Sequence, residues 1–205
     1  MIKTTIETVE ELEAIYGQPG APSLVKETDF ITPEYRVLIE ASPFVALASA
    51  GPQGLDCTPR GDNPGFVRVH DTKTLMLPDR AGNNRIDSLK NIVCDPRLAL
   101  LFVIPGSLTT FRVNGTGQIS VDESLLKSFE VDGKIPRSVI VIKVEAAYFQ
   151  CGRAMIRSQI WDNTTHVDPK SLPSAGDMIA AGSDGREGGK EYDEIWPERA
   201  KKTLW

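Results

Sequence analysis

The sequence predicts a mainly β protein, a small closed or half-open β-barrel with peripheral helices. Three observations carry that prediction. Six or more extended, β-branched or apolar segments lie between residues 44 and 150. Tight turns rather than long crossovers separate most of them, and the helices set among them are short, which disfavours a βαβ array. The chain has 205 residues, 40% hydrophobic and 25% charged, and a chain of that size buries roughly 70% of its unfolded surface, so no disulfide or metal staple is needed. A single domain over 1–205 is expected, with N-terminal helices over 1–42, a barrel core over 43–162 and a C-terminal loop and helix extension over 163–205.

The elements follow in order. Thr8, Val9, Glu10 and Glu11 have the form of a capping box, and Val9, Leu12, Ile15 and Tyr16 share one helical face. Residues 18–22 break that helix. Thr32-Pro33 opens a second one, with Tyr35, Leu38 and Ile39 expected inside. Phe44 to Ala50, the turn 51–54 and Leu55 to Arg60 read as a β-hairpin. Phe66 to His70 and Thr74 to Leu77 read as strands, and Asn84 to Val93 as a helix. Leu98 to Ile104, Thr109 to Val121 and Ser138 to Gln150 read as the long central strands. Asp122 caps a short helix bearing Leu125, Leu126 and Phe129, and residues 153–161 include a further helical segment. The Ser/Gly-rich stretch 181–189 reads as a mobile loop before a terminal helix that Tyr192, Ile195, Trp196 and Leu204 would dock.

Composition narrows function. A net charge of −5 lacks the broad positive field that nucleic-acid or anionic-membrane binding requires, so any anionic ligand is small. Cys57, Cys94 and Cys151 are odd in number and far apart, and read as free thiols in a reducing compartment. Cys57 and Cys94 are expected to be buried small hydrophobes, having no neighbouring His. No secretory leader and no run of about 18 apolar residues is evident, so the chain reads as cytoplasmic. His70 and His166 have no metal-ligand spacing, and GxGxxG, Walker and GxSxG patterns are absent.

Three basic segments remain. Residues 77–92 run from a strand, through a Gly/Asn turn at Gly82, Asn83 and Asn84, into a helix. Such a turn presents free backbone N–H groups at the positive end of a helix, and Arg80 and Arg85 can add bidentate bonds to a phosphate. An Asn N-cap with solvated arginines fits the same residues. At Arg60, Gly61 and Asp62 a glycine permits close approach to the backbone beside a cation, or the segment is a surface turn. Arg153 and Arg157 repel each other at i, i+4 ahead of Trp161 unless an anion or carboxylate sits between them, or they are an ordinary surface helix.

Together these segments resemble the FMN-binding split barrel of the pyridoxamine 5'-phosphate oxidase-like (PPOX-type) flavoproteins, over roughly residues 30–162. The resemblance implies that Arg60, Gly61 and Asp62 line the isoalloxazine, that Pro78, Asp79, Asn84 and Arg85 match the ribityl-phosphate segment, with Asn83 also at the cofactor, and that Arg60, Arg80 and Arg85 fix the phosphate. Where these oxidases tend to have two adjacent basic residues, this chain has Asn84-Arg85, and Arg80 would supply the missing charge. Thr110 or Arg112 would contact the flavin from the following long strand. The string Cys151-Gly152-Arg153-Ala154 through Arg157-Ser158 to Trp161 is similar to the PPOX-type subgroup. The chain ends without the arginine- and histidine-bearing segment of the vitamin-processing oxidases, so true pyridoxamine phosphate oxidation is not expected.

The resemblance further implies a homodimer with FMN between subunits and FMN-dependent oxidoreduction of a small molecule, with Arg153, Arg157 and Trp161 closing the cleft on an anionic or planar substrate. No acid or base stands out. A non-catalytic flavin carrier is the alternative from another class, and a deazaflavin or haem, the latter ligated by His70 or Cys57, is the alternative within the fold.

Overall fold

The computed structural model describes residues 5–204. Its strands are β1 (Phe44–Gly51), β2 (Gly54–Gly61), β3 (Arg68–Asp71), β4 (Thr74–Asp79), β5 (Arg97–Val103), β6 (Thr110–Ser120) and β7 (Ser138–Gln150). They form one seven-stranded antiparallel sheet in the order β2-β1-β5-β6-β7-β4-β3. The expected mainly β architecture with peripheral helices is therefore the observed one. The β1/β2 hairpin pairs Phe44 with Gly61 and Gly51 with Gly54, as the Gly-Pro-Gln-Gly turn requires.

One face of the sheet holds the core. Val45, Leu47, Leu75, Leu77, Leu100, Phe102, Phe111, Val113, Ile140 and Ile142 are fully buried, the alternation that a half-covered antiparallel sheet demands. Helix α3 (Pro33–Ala41) covers part of it with Tyr35 and Ile39, Tyr35 stacking 4.8 Å from Phe111, while Leu38 is only partly buried against the cluster.

Helix α4 (Asp87–Cys94) is seated by close approach. A side chain at Gly117 would meet Leu98, Ile140 and Ile92, and one at Gly51 would strike Asn91. Asn91 Nδ2 donates to Ser49 Oγ at 3.2 Å and Ser88 Oγ to Asp56 at 2.6 Å. These contacts fix where α4 begins.

Several expectations are corrected. Helix α1 (Val9–Tyr16) forms with its full capping box, but Val9, Leu12, Ile15 and Tyr16 stay exposed. A further helix, α2 (Ala21–Val25), occupies the end of the predicted break, with Pro22 in its first turn, where a missing N–H costs nothing. Strand β3 begins at Arg68 rather than Phe66, since Phe66 and Val67 enter the core before pairing starts. Strand β4 runs on to Asp79 because Ser138 and Val139 of β7 pair with Asp79 and Pro78. Helix α4 begins three residues later than predicted, because Asn84 (φ 61°) and Ile86 (φ 54°) are left-handed.

Helix α5 (Glu123–Ser128) is capped by Asp122, with Phe129 buried behind it. Helix α6 (Arg153–Ser158) ends at a left-handed Gln159, short of Trp161. The tail contains helix α7 (Ala175–Gly182), capped by Ser174, and helix α8 (Gly189–Thr203). The stretch 181–189 is the tight bend between them. Gly188 (φ 89°) lies against Gly176 and Ala180, with no space for a Cβ. Ile195, Trp196 and Leu204 remain about half exposed, because α8 packs chiefly against α7; Trp205 lies outside the described residues.

Candidate functional site

A cavity of about 320 Å³ opens where the end of β2, the end of β4, the turn into α4 and the start of β7 converge. It brings together Arg60, Gly61, Pro78, Asp79, Arg80, Asn83 and Asn84 from the sequence-predicted set, and adds Arg137, Ile86 and Leu89. Asp62 borders the adjoining cavities.

The turn is built for an anion. Ile86 occupies the N-cap position of α4 and cannot accept a hydrogen bond through its side chain. Among the described residues the N–H groups of Asp87, Ser88 and Leu89 have no acceptor. Left-handed geometry at a β-branched residue costs about 1–2 kcal/mol, so the turn is held there by its surroundings. Arg137 donates to Asn84 Oδ1 at 3.1 Å and Arg85 N–H to Asn83 Oδ1 at 3.1 Å, which fix the two asparagines.

The charges at the cavity are uneven. Arg60 donates to Thr58 Oγ1 (2.9 Å) and to the Pro59 carbonyl (3.1 Å), reaches Ser88 Oγ at 3.4 Å and lies 3.6 Å from Asp79. Burial pushes the Asp79 carboxyl above the usual aspartate range, opposed by the Arg60 and Arg137 charges. Arg80 is committed elsewhere, donating to Asp62 at 2.7 Å and to the Phe129 carbonyl at 2.8 Å. Arg60, Arg80 and Arg137 all border the cavity, and Arg137, which among the described residues donates to Asn84 alone, is the least committed of the three.

The other predicted residues lie apart. Arg85 borders a neighbouring cavity between the β1/β2 turn and α4, is 76% exposed at its side chain and pairs with Asp87 at 2.8 Å. Register connects Arg60 to Val45, Phe102 and Phe111 in turn, so Thr110 and Arg112 lie three strand spacings away, about 14 Å across the sheet. Thr110 is buried; the Arg112 guanidinium stacks 4.4 Å over Tyr148, its buried Nε without a partner among the described residues. Arg153 and Arg157 are exposed on α6, and Trp161 Nε1 donates to the Ser107 carbonyl at 2.7 Å. These five residues gather at the β5/β6 turn end, away from the cavity.

Arg137 is the residue that local sequence patterns miss. No motif surrounds Pro136-Arg137; the pairing of Asp79 with Ser138 brings it in. The free-thiol reading agrees with the structure, but Cys57 and Cys94 are exposed rather than buried, Cys57 on an edge strand and Cys94 at the last residue of α4. His70 and Cys57 sit on the two edge strands, and the described residues contain no group of three or more His, Cys, Asp or Glu able to hold a metal. No described helix is long and apolar enough to cross a membrane.

Residues 31–151 match the family described as Pyridoxamine 5'-phosphate oxidase. Among solved structures the chain is similar to HupZ of Group A Streptococcus (22% identity, 59% of this chain and 94% of that one, TM-score 0.49). It is also similar to General Stress Protein 26 of Bacillus anthracis (14%, 55% and 88%, TM-score 0.43) and to a nimC/nimA family protein of Clostridium acetobutylicum (13%, 57% and 91%, TM-score 0.39). No curated protein matches.

Proposed function

Because this chain belongs to the pyridoxamine 5'-phosphate oxidase family, we propose that it binds FMN and acts as an FMN-dependent oxidoreductase on a small molecule. The observation that carries the reading is the uncapped start of α4, with left-handed Asn84 and Ile86, opening beside Arg60 and Arg137. A helix N-terminus with free N–H groups and two arginines within one cavity has the donor set of a phosphate monoester. Bound FMN would supply hydride and electron transfer. The chain's own part is to grip the phosphate through Arg60, Arg137 and the 82–86 backbone, and to line the ring with Gly61 and the β2 end. Arg85 joins this site only if its guanidinium leaves Asp87.

The proposal includes a homodimer. The outer face of β1, β2 and β5 carries Phe44, Ala46, Ala48, Ala50, Cys57, Pro59, Ala99, Leu101 and Val103 in register. Small and apolar side chains on a sheet face suit a self-complementary interface. A partner seated there would bring its Thr110, Arg112, Arg153, Arg157 and Trp161 toward the cavity, and would give the Arg112 Nε something to donate to. The carrier reading draws on one observation: the only carboxyl lining the cavity, Asp79, is tied to Arg60.

The visible spectrum of the purified protein, with mass spectrometry of the small molecule released by heat, tests the cofactor. FMN at about one per chain is expected. A colourless protein that fails to take up added FMN would overturn the proposal. Consumption of reduced nicotinamide by the FMN-loaded protein with an acceptor separates enzyme from carrier.

A further inference from the structure

Beyond the phosphate cradle lies a second and larger cavity, of about 580 Å³, closed on one side by α8. Its volume is within the range of small-molecule sites. Tyr192, Trp196, Arg199 and Thr203 line it at spacings of 4, 3 and 4, the repeat of a single helical face. The opposite wall is Gly61, Ala81, Gly82 and Asn83, flanked by the Asp62–Arg80 ion pair. Aromatic side chains facing a wall of glycine and alanine make a slot for a flat group.

The wall is anchored rather than loosely apposed. Asp193 accepts from the Gly176 N–H at 2.8 Å, locking α8 to α7, and Lys134 Nζ donates to the Leu204 carbonyl at 3.0 Å, tying its far end to the turn after α5. The charge is also defined. Arg80 pairs with Asp62 at 2.7 Å, and Glu198 pairs with Lys201. Arg199 has no carboxylate at ion-pair distance among the described residues. A guanidinium with no carboxylate partner among the described residues, beside an indole, matches a planar monoanion; a phosphate dianion would call for a second cation.

We propose that this cavity binds a planar aromatic carboxylate, its ring against Trp196 and Tyr192 and its carboxylate on Arg199. The residues of α8 lie outside the segment matched to the family, residues 31–151, so the aromatic and cationic wall comes from the extension and the facing wall from the matched segment. That the ligand is the second substrate rests on the flavin reading, since the two cavities share Gly61, Arg80, Ala81, Gly82 and Asn83; that it binds does not.

The test uses the full chain as purified, with benzoate as probe, and reads calorimetry and tryptophan fluorescence. Saturable benzoate binding is expected. Benzamide, planar but uncharged, and cyclohexanecarboxylate, charged but not planar, should each bind at least tenfold more weakly. Arg199→Gln should weaken benzoate at least tenfold and leave benzamide unchanged. Trp196→Leu should remove most of the fluorescence response. Gly82→Leu supplies a check from the opposite wall, where an added Cβ meets nothing within 4 Å; compared with the parent, both freed of FMN, it should block benzoate while leaving the thermal transition unchanged. No saturable binding, or binding indifferent to Arg199→Gln and Gly82→Leu, overturns the proposal. Benzoate binding by a protein that takes up no FMN would keep the slot and remove the flavin reading. FMN at one per chain without benzoate binding would do the reverse.

Discussion

At the residue scale, the arginines divide by what they already hold. Arg80 gives its Nε to Asp62 and its Nη1 to the Phe129 carbonyl, and Arg85 faces away onto Asp87. Arg137 donates only to Asn84 among the described residues, and Arg60, with both Nη groups on Thr58, Pro59 and Ser88, keeps its Nε. Replacing either with Ala should remove a charge-assisted contact of about 1.5–3 kcal/mol, weakening FMN roughly ten- to a hundredfold. Arg85→Ala should change it by less than threefold; fluorescence titration of the FMN-free protein measures all three, and a larger loss in Arg85→Ala than in Arg137→Ala would relocate the phosphate. Asp79 gives a pH signature. Its carboxyl is pushed up by burial, so its contribution to stability is full below the ordinary aspartate pKa of about 3.9 and is lost as pH rises through the higher folded value. Asp79→Asn should therefore gain stability relative to the parent as pH climbs from about 4, read from urea midpoints at several pH values. Parallel curves would show that Arg60 and Arg137 fully offset the burial.

Elements decide where these residues stand. The cradle exists because α4 lies on Gly117 and Gly51, where the backbone leaves no room for a side chain. Gly117→Val would drive two methyl groups into Leu98, Ile140 and Ile92, costing about 1–3 kcal/mol by overpacking. Because the displaced element is α4, FMN affinity should fall with stability; a melting-temperature loss with FMN binding intact would separate the helix seat from the cradle. Gly117 of β6 is plain in the sequence, but its reason is not, since it lies partly in Ile92 of a helix 25 residues away. The start of α4 was similarly hidden. Helical spacing continues back to Asn84, and only the left-handed backbone at Ile86 halts it. For a β-branched residue that conformation has no local cause, so no local rule finds it.

For the whole molecule, the sheet leaves one face to the core, and the Ala46, Ala48 and Leu101 side is the one proposed for a second subunit. An arginine in place of Ala48, opposite both Cys57 and Ala99, would bury charge in the proposed interface. Sedimentation should show a monomer, and FMN occupancy should fall with it, because the Thr110 and Arg112 side of the site would come from the second subunit. A dimer that survives Ala48→Arg places the interface elsewhere. The sequence by itself determined the β-rich class, the hairpin at residues 44–61, the long strands, the capped helices and the basic segments around Arg60 and Arg85, because turns, caps and two-residue alternation act within a few residues. Tertiary structure alone decided which arginines converge, that Arg137 belongs with Asp79, that the cysteines face outward and that the tail folds as a helical hairpin beside the cradle. Those depend on strand register and helix seating, which join residues tens of positions apart through contacts that leave no periodic trace in the chain.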